Sequence, residues 1–478
     1  GIYFRQTEPD LRFSSIEHNI NIDNWDFDPT TNQVPSRFYR TLQEYNIDAK
    51  LHYTQPILDN LKLKTGGAYT AKLRVPFEEK IYQYDGALIN EVAQFDGDYQ
   101  QLFAEENLGR DPETNQWNIY LQDNTDPTNS YNGNSAVAGA YLMMDWEPVS
   151  QLRVVTGVRY EYTDIYIFAG NLTVDEFRDE QAQQGFTPDQ TVATIQDRTG
   201  ELQLHDLLPA LNLTYRASKN TNLRFSYGRT VARPILREMA LFKSFNFLGD
   251  FLLLGNPDLK RTVIDNLDCR VEIFPTPTEL LSASVFYKHL ENPIERTFNP
   301  IASNPEVQFN NVDEAIVYGA EFEVRKNLGF VSRSLRWFQL GANVTLLQSE
   351  VDIDADEYEQ MLAVNPDAEP TRPLFAQSPY IVNATLGYIN DSTQTSVIVN
   401  FNIFGERLSG VSLGGTPDIY EQPRPRLDLT LRQSLSDRWA LRVSARNLLN
   451  PSYRFTHEYQ GAEFVNNTFT IGRRFSLG

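Results

Sequence analysis

The 478-residue sequence predicts an all-β fold, a transmembrane antiparallel up-and-down β-barrel with about sixteen strands present. Three observations predict it. Apolar and polar residues alternate over many stretches, and short connections alternate with long ones along the chain. Many of the alternating stretches also exceed the five or so residues that are usual for strands of soluble sheets. No stretch shows a comparable 3.6-residue period, so we expect almost no helix.

The alternation is clear between residues 152 and 162. Leu152 and every second residue through Tyr162 fall on one face, whereas Arg153, Arg159 and Glu161 fall on the other. Successive side chains of a strand point to opposite faces, so each such segment has an apolar and a polar side. Strands are predicted at residues 2–16, 37–55, 60–84, 132–147, 151–164, 202–217, 221–232, 261–274, 278–293, 312–327, 334–349, 377–389, 393–405, 424–435, 438–449 and 464–477.

The connections between these strands are of two kinds. The short ones lie at residues 56–60, 148–150, 218–220, 275–277, 328–333, 390–392 and 436–437, and the long ones include 85–131, 165–201, 233–260, 350–376 and 406–423. Outer-membrane barrels have short periplasmic turns and long extracellular loops in this order. A soluble β-sandwich also alternates, but its Greek-key connections do not follow this rule. We therefore expect one barrel domain over residues 1–478.

Composition excludes several classes of function. The formal net charge of −21 argues against nucleic acid as a partner, because phosphate binding needs a basic surface. The single cysteine, Cys269, excludes an internal disulfide and a cysteine-based zinc site. No motif for a metal-bound water, an activated serine or a phosphate cradle is present, so neither an enzyme nor a cofactor is expected.

Three long connections carry almost all of the net negative charge of the chain. Residues 85–131 contain ten acids and one base, residues 165–200 six acids and two bases, and residues 350–376 eight acids and one base. We expect these acids to keep exposed loops solvated, with attraction of cations as the alternative. Asp352, Asp354 and Asp356 carry carboxylates at alternate positions, and weak calcium binding there is a second interpretation.

Two further groups are candidate functional residues. The predicted polar faces carry the charged residues Arg153, Arg159, Glu161, Arg224, Asp428, Arg432, Arg442 and Arg446. They either pair with one another inside the lumen or hold a domain that is folded in the pore. The connection 233–260 contains Phe242, Phe245, Phe247 and Phe251, which are costly in an exposed loop unless they pack or contact a ligand.

Several segments resemble TonB-dependent outer-membrane receptors, specifically their barrel portion. Residues 446–453 (RNLLNPSY) resemble a segment near the C-terminus of such barrels, and residues 318–323 (YGAEFE) and 157–161 (GVRYE) resemble two of their strands. Residues 227–234 (YGRTVARP) and 255–259 (GNPDL) resemble a strand and loop of the family. The resemblance is specific over residues 130–478, whereas the first 130 residues fit by their hairpin pattern only.

The resemblance implies a barrel of 22 strands with an N-terminal plug and a TonB box. Since the chain contains about sixteen predicted strands and neither the plug nor the box, we expect an incomplete barrel that lacks the plug and about six N-terminal strands. The implied location is the outer membrane of a Gram-negative cell.

The implied function is energy-coupled uptake of a bulky, scarce nutrient such as a siderophore, cobalamin or an oligosaccharide. The implied partners are outer-membrane lipid, the nutrient, a periplasmic TonB-type energy coupler acting through the plug, and a surface lipoprotein. Three alternatives stay open: a passive sixteen-stranded diffusion porin, a structural barrel that anchors a surface complex, and a barrel hydrolase.

Overall fold

The structure is a computed structural model. It describes residues 2–7, 11–13, 16–19, 24–27, 36–89, 92–95, 98–125, 130–170, 174–245, 252–299, 306–353, 355–364, 366, 368–412, 417–436, 438–459 and 461–478. The main sheet consists of β1 (Ile2–Thr7 with Leu11–Phe13), β2 (Ser36–Leu58), β3 (Leu61–Asp85), β4 (Ser130–Val149), β5 (Leu152–Ala169), β6 (Thr199–Ser218), β7 (Thr221–Ala232), β8 (Thr262–Ile273), β9 (Leu280–Glu291), β10 (Glu314–Asn327), β11 (Phe338–Asp352), β12 (Tyr380–Asn390), β13 (Thr395–Phe404), β14 (Arg426–Ser436), β15 (Trp439–Arg446) and β16 (Arg474–Leu477).

Each strand of the main sheet pairs antiparallel with the next strand along the chain, from β1 with β2 to β15 with β16. This meander confirms the predicted antiparallel up-and-down architecture. Within the described residues no ladder joins β16 to β1, so these two are edge strands.

The register gives the sheet one apolar and one polar face. Val344 of β11 lies opposite Val382 of β12 on the apolar face. One residue along, Asn343, Asn383 and Asn402 form a row across β11, β12 and β13 on the polar face. The Asn383 amide donates to Asn343 Oδ1 at 2.8 Å, and the Asn402 amide donates to Asn383 Oδ1 at 2.7 Å. A barrel in lipid places the apolar face outward and this amide ladder in the lumen.

The large apolar side chains of the outer face are exposed rather than packed into a core. Leu51 of β2 is 78% exposed and Leu207 of β6 is 63% exposed. A soluble protein seldom presents a continuous apolar surface of this kind, whereas lipid requires it.

Short and long connections alternate strictly between β2 and β16. The short ones are residues 59–60, 150–151, 219–220, 274–279, 328–337, 391–394 and 437–438, and the long ones are residues 86–129, 170–198, 233–261, 292–313, 353–379, 405–425 and 447–473. The two kinds therefore lie at opposite rims of the sheet.

Helices are short and lie mostly in the long connections, which agrees with the expectation of almost no helix. They comprise Val92–Phe95, Tyr99–Leu102, Glu105–Asn107, Val174–Gln183, Pro188–Arg198, Leu236–Met239 and Ala355–Val364, with Leu328–Phe330 and Arg333–Leu335 in a short connection. No helix in the described part of the chain is long and apolar enough to cross a membrane.

Candidate functional site

The long connections build a second sheet at their rim. Its strands are, in spatial order, Lys243–Phe245, Leu252–Leu254, Glu306–Asn311, Ile294–Asn299, Arg407–Ser412, Ile419–Glu421, Tyr453–Tyr459 and Ala462–Phe469. Smaller pairs, Ile16–Asn19 with Asn24–Phe27, Gly109–Arg110 with Trp117–Asp123, and Thr371–Arg372 with β11, also lie at the long connections. The loops are thus linked to each other by backbone hydrogen bonds, and they form a structured rim.

Connection 233–261 packs against the inner wall of the main sheet. Phe242 is fully buried, and its ring centroid lies 5.2 Å from that of Phe77 on β3 and 5.7 Å from that of Tyr131 on β4. The buried residues of this apolar cluster are Tyr131, Ile165, Ile167, Leu236, Met239, Ala240, Phe242, Leu253, Leu259 and Phe309.

The four phenylalanines, expected either to pack within the loop or to contact a ligand, are placed differently from one another. Phe242 exposes no side-chain surface to a ligand in this structure. Phe245 lies in a rim strand by its backbone, and Phe247 and Phe251 are outside the described residues.

Arg233 fastens the start of the same connection to the lumen wall. Its Nη2 lies 2.6 Å from Glu161 Oε2, and its Nε donates to Thr163 Oγ1 at 2.7 Å. Arg159 shares the Glu161 carboxylate through a 2.5 Å contact to Oε1. Asp206 of β6 lies 3.3 Å from Arg233 on the same side. The arginine of the RP segment therefore connects the loop to β5 and β6.

Gly255 and Asn256 fasten the end of that connection. A Cβ atom on Gly255 would lie 1.9 Å from the carbonyl oxygen of Ala240, so only glycine fits there. The Asn256 side chain donates to the carbonyl oxygen of Phe309 at 3.0 Å. The Asn256 backbone N–H donates to the carbonyl oxygen of Glu238 at 2.6 Å. The GNP segment therefore joins connection 233–261 to connection 292–313.

A buried ionic cluster joins connection 292–313 to connection 353–379. Arg372 is 6% exposed, and its guanidinium lies 2.9 Å from Glu295 Oε2 and 2.6 Å from Glu357 Oε1. Burial lowers the pKa of Arg372, but the charges of Glu295 and Glu357 outweigh it and the net pKa is raised.

Asp418 lies beside this cluster. Burial raises the pKa of the Asp418 carboxyl to about 6, although it accepts the Ser412 N–H at 2.8 Å and interacts with Arg372. Sequence reasoning missed these groups, because they come from connections that are distant along the chain and the acids resemble solvated loop charges.

The predicted lumen residues on β5 and β7 form ion pairs with other residues of the main sheet. Arg153 makes two hydrogen bonds to Asp145 of β4, both 2.9 Å long. Arg224 donates to Glu272 of β8 at 2.7 Å. With the Arg159–Glu161 pair described above, these arginines already have carboxylate partners on neighbouring positions of the sheet.

The predicted lumen residues on β14 and β15 differ from those on β5 and β7 in their ion pairs. Asp428 pairs with Arg426 at 2.8 Å. Arg432, Arg442 and Arg446 are exposed, and none has an ion pair with a carboxylate among the described residues. The structure therefore separates the predicted set into a paired group and an unpaired group.

The acidic positions considered for calcium lie at the end of β11 and in the connection that follows it. Asp352 is exposed at the end of β11, where its backbone pairs with Thr371. Asp354 is outside the described residues, and Asp356 lies in the helix Ala355–Val364 by its backbone. Within the part of the chain that the structure describes, no group of three metal-binding side chains is present.

Structures with similar folds share the barrel but little sequence. The ferric citrate transporter FecA in its unliganded form has a TM-score of 0.57 at 9% identity, covering 95% of this chain and 56% of that one. The copper transporter OprC has a TM-score of 0.55 at 14% identity, covering 92% and 56%. The siderophore receptor PiuA from Acinetobacter baumannii has a TM-score of 0.54 at 11% identity, covering 99% and 60%. The chain thus spans little more than half the length of these proteins.

No curated protein sequence matches the chain. A family model described as "TonB dependent receptor-like, beta-barrel" matches residues 3–448, which is nearly the whole sequence. This match covers the main sheet from β1 to β15 and the loops between these strands. The chain therefore belongs to the TonB-dependent receptor-like β-barrel family.

Proposed function

We propose that the chain is the barrel wall of an outer-membrane receptor that takes up a bulky, scarce nutrient by TonB-dependent energy coupling. The observation that carries the proposal is the family match over residues 3–448, on a sheet with an apolar outer face and a polar inner face. The nutrient class comprises siderophores, cobalamin and oligosaccharides. The structured rim is the part of the wall that meets the ligand first, and no covalent chemistry is involved.

The proposed receptor includes a larger barrel than the described sheet. Strands β1 and β16 are both edges in the described residues, and the unpaired backbone groups of an edge are costly in lipid. About six further strands would pair with these edges, and an N-terminal plug would fill the lumen and transmit the pull of a periplasmic TonB-type coupler. The chain covers only 53–60% of four similarly folded structures, which supports this arrangement.

A genetic experiment tests the proposed uptake. The gene is deleted, and growth is measured with each candidate nutrient as the limiting source, beginning with ferric chelates because FecA and PiuA are named for iron carriers. We expect loss of growth on one nutrient, restored by the intact gene only when the energy coupler is present. Unchanged growth on every nutrient, or restoration without the coupler, would contradict TonB-dependent uptake.

A passive porin is the second candidate, because sixteen strands of the main sheet are what such a pore needs. The two functions differ in the conductance of the purified intact protein in a planar bilayer. A gated receptor stays closed in the absence of substrate and coupler, whereas a porin conducts steadily. A steady conductance would therefore favour the porin over the receptor.

A further inference from the structure

We propose that Trp117 and Tyr120, in connection 86–129, form a stacking platform for a neutral, hydroxyl-rich sugar ring. This inference rests on the proposed function, and within its nutrient classes it selects the oligosaccharide. The two residues, called the aromatic platform below, lie on the strand Trp117–Asp123, which pairs antiparallel with the end of β3.

Connection 86–129 is folded around an apolar core of its own. The buried residues of this core are Ile89, Leu102 and Ile119, and the partly buried residues packed against them are Tyr84, Leu88, Phe95 and Phe103. Ile119 is 1% exposed, so the strand that carries it turns one face into the core. Tyr120 is the next residue and therefore lies on the opposite face. The connection is thus a small folded unit with an outer surface of its own.

The outer surface of this unit carries two aromatic rings side by side. The ring centroids of Trp117 and Tyr120 are 5.4 Å apart, with an interplanar angle of 48°. Trp117 is 47% exposed, although its strand packs on a buried core through Ile119. Single exposed apolar residues are common on protein surfaces, but adjacent exposed rings on an otherwise well-packed unit are typical of a binding surface.

Several contacts hold the aromatic platform in place before any ligand arrives. The Trp117 carbonyl oxygen accepts the Ala87 N–H at 3.0 Å, and the Arg110 guanidinium lies over the Trp117 ring, 4.8 Å from its centroid. The Tyr120 hydroxyl donates to Asp85 Oδ2 at 3.0 Å. A ligand that stacks on rings already fixed in position loses less free energy to the ordering of the protein.

Polar groups lie beside the rings and supply partners for hydroxyl groups. The side chains of Asp85 and Asn115 are exposed, and Asn115 Oδ1 accepts a 3.2 Å hydrogen bond from Arg110 Nη1. A sugar ring has an apolar face of C–H groups and an edge of hydroxyl groups. It is therefore complementary to aromatic faces that are bordered by carboxylate and amide oxygens, the combination that small-molecule sites commonly use.

The charge around the aromatic platform favours a neutral ligand. Residues 85–131 contain ten acids, and their one base is Arg110. The field of these acids repels anionic ligands. A cationic ligand would instead meet the Arg110 guanidinium directly at the Trp117 ring. A neutral, hydroxyl-rich ligand avoids both repulsions, and this distinguishes the oligosaccharide from the other nutrient classes.

The experiment measures binding of neutral hexasaccharides of glucose, xylose, mannose and galactose to the intact receptor in detergent micelles by isothermal titration calorimetry. We expect the wild type to bind at least one of them, and Trp117→Ala to weaken that affinity at least about tenfold, as for aromatic residues that dominate other interfaces. Trp117→Phe keeps a ring and should retain most of the affinity. Phe186→Ala is the matched control, because Phe186 is 45% exposed on a different connection.

A second variant and a folding control keep the result interpretable. Tyr120→Ala removes the other ring and should weaken the same affinity. Hydrogen exchange over residues 98–125 shows whether each variant keeps the folded unit, so a loss of affinity with unchanged exchange is a loss of ligand contact.

Three results would overturn the proposal. A wild type that binds none of these hexasaccharides removes the assigned ligand class. Unchanged affinity in folded Trp117→Ala and Tyr120→Ala variants places the sugar site elsewhere. Equal binding of an oligogalacturonate, whose rings carry carboxylates, contradicts the selection by charge. The proposed function survives these failures if the deletion strain still loses coupler-dependent growth on another nutrient, whereas unchanged growth on every nutrient removes the proposed function itself.

Discussion

At the scale of single residues, the loop-covered rim depends on a few side chains that join distant segments. Arg233 reaches Glu161 and Thr163 on β5, and Asn256 reaches the backbone of Phe309. Neither residue is distinguished by composition or periodicity, and each contributes through a partner more than fifty positions away. Their family-like segments were visible in the sequence, but their contacts were not.

Substitution of Gly255 tests the fastening of connection 233–261. In Gly255→Ala the new methyl group would meet the Ala240 carbonyl oxygen at 1.9 Å, so the loop must shift. We expect local destabilisation of about 1–3 kcal/mol, as for other overpacked sites, and faster hydrogen exchange in the connection. Gly228→Ala is the control, because no heavy atom lies within 4 Å of its Cβ position. Equal hydrogen exchange of the connection in the two variants would contradict the close packing of Gly255 against Ala240.

We expect the stability of the rim to depend on pH because of Asp418. Its pKa is raised to about 6 by burial, above the ordinary value near 3.9, so the folded rim favours the neutral carboxyl. Stability of the rim should therefore fall as the pH rises from about 4 to about 6, with the penalty complete above the folded pKa.

The measurement compares proteolysis of the rim at pH 5 and pH 8. We expect faster cleavage at pH 8 in the wild type and a smaller difference in Asp418→Asn, which cannot ionise. The groups that act on the carboxyl are Arg372, Glu357, Glu295 and the Ser412 N–H. An undiminished pH difference in the variant would assign the effect to one of the other groups.

At the scale of elements, strands were predictable and the fold of the loops was not. Alternation along β5 or β12 is a local property, because each position responds to one face of the sheet. The strand register decides which residues face each other, such as Arg432 opposite Arg442, and contacts between separate connections decide the second sheet. Neither is encoded in a local window of sequence. The Arg372 cluster was missed for the same reason.

Adjacent positions on β6 test the assignment of the two faces. Leu211 lies opposite Thr156 on the outer face, and Asn212 lies opposite Val155 on the inner face. We expect Leu211→Arg to destabilise the barrel by about 2–4 kcal/mol in lipid, since a cation near the bilayer midplane is costly, and Asn212→Arg to have a much smaller effect. Denaturant titration of the barrel refolded in vesicles measures both. A larger loss for Asn212→Arg would reverse the faces.

At the scale of the whole molecule, the apolar and charged residues are separated by position. The strands carry an apolar outer face and a polar inner face, while the long connections carry most of the acids. This separation explains how a chain with a mean hydropathy of −0.43 is suited to lipid. It needs only one apolar residue in two along each strand, because the lumen and the loops are polar.

The most direct test of the account is cysteine labelling along β14 in intact outer membranes. Cys269 is first replaced by serine, and single cysteines are placed at each position from Leu427 to Arg432. We predict that Asp428, Thr430 and Arg432 positions react with a water-soluble maleimide, and that Leu427, Leu429 and Leu431 positions react only with a lipid-soluble one. Equal labelling at neighbouring positions, or labelling without this period of two, would contradict a membrane-spanning barrel wall.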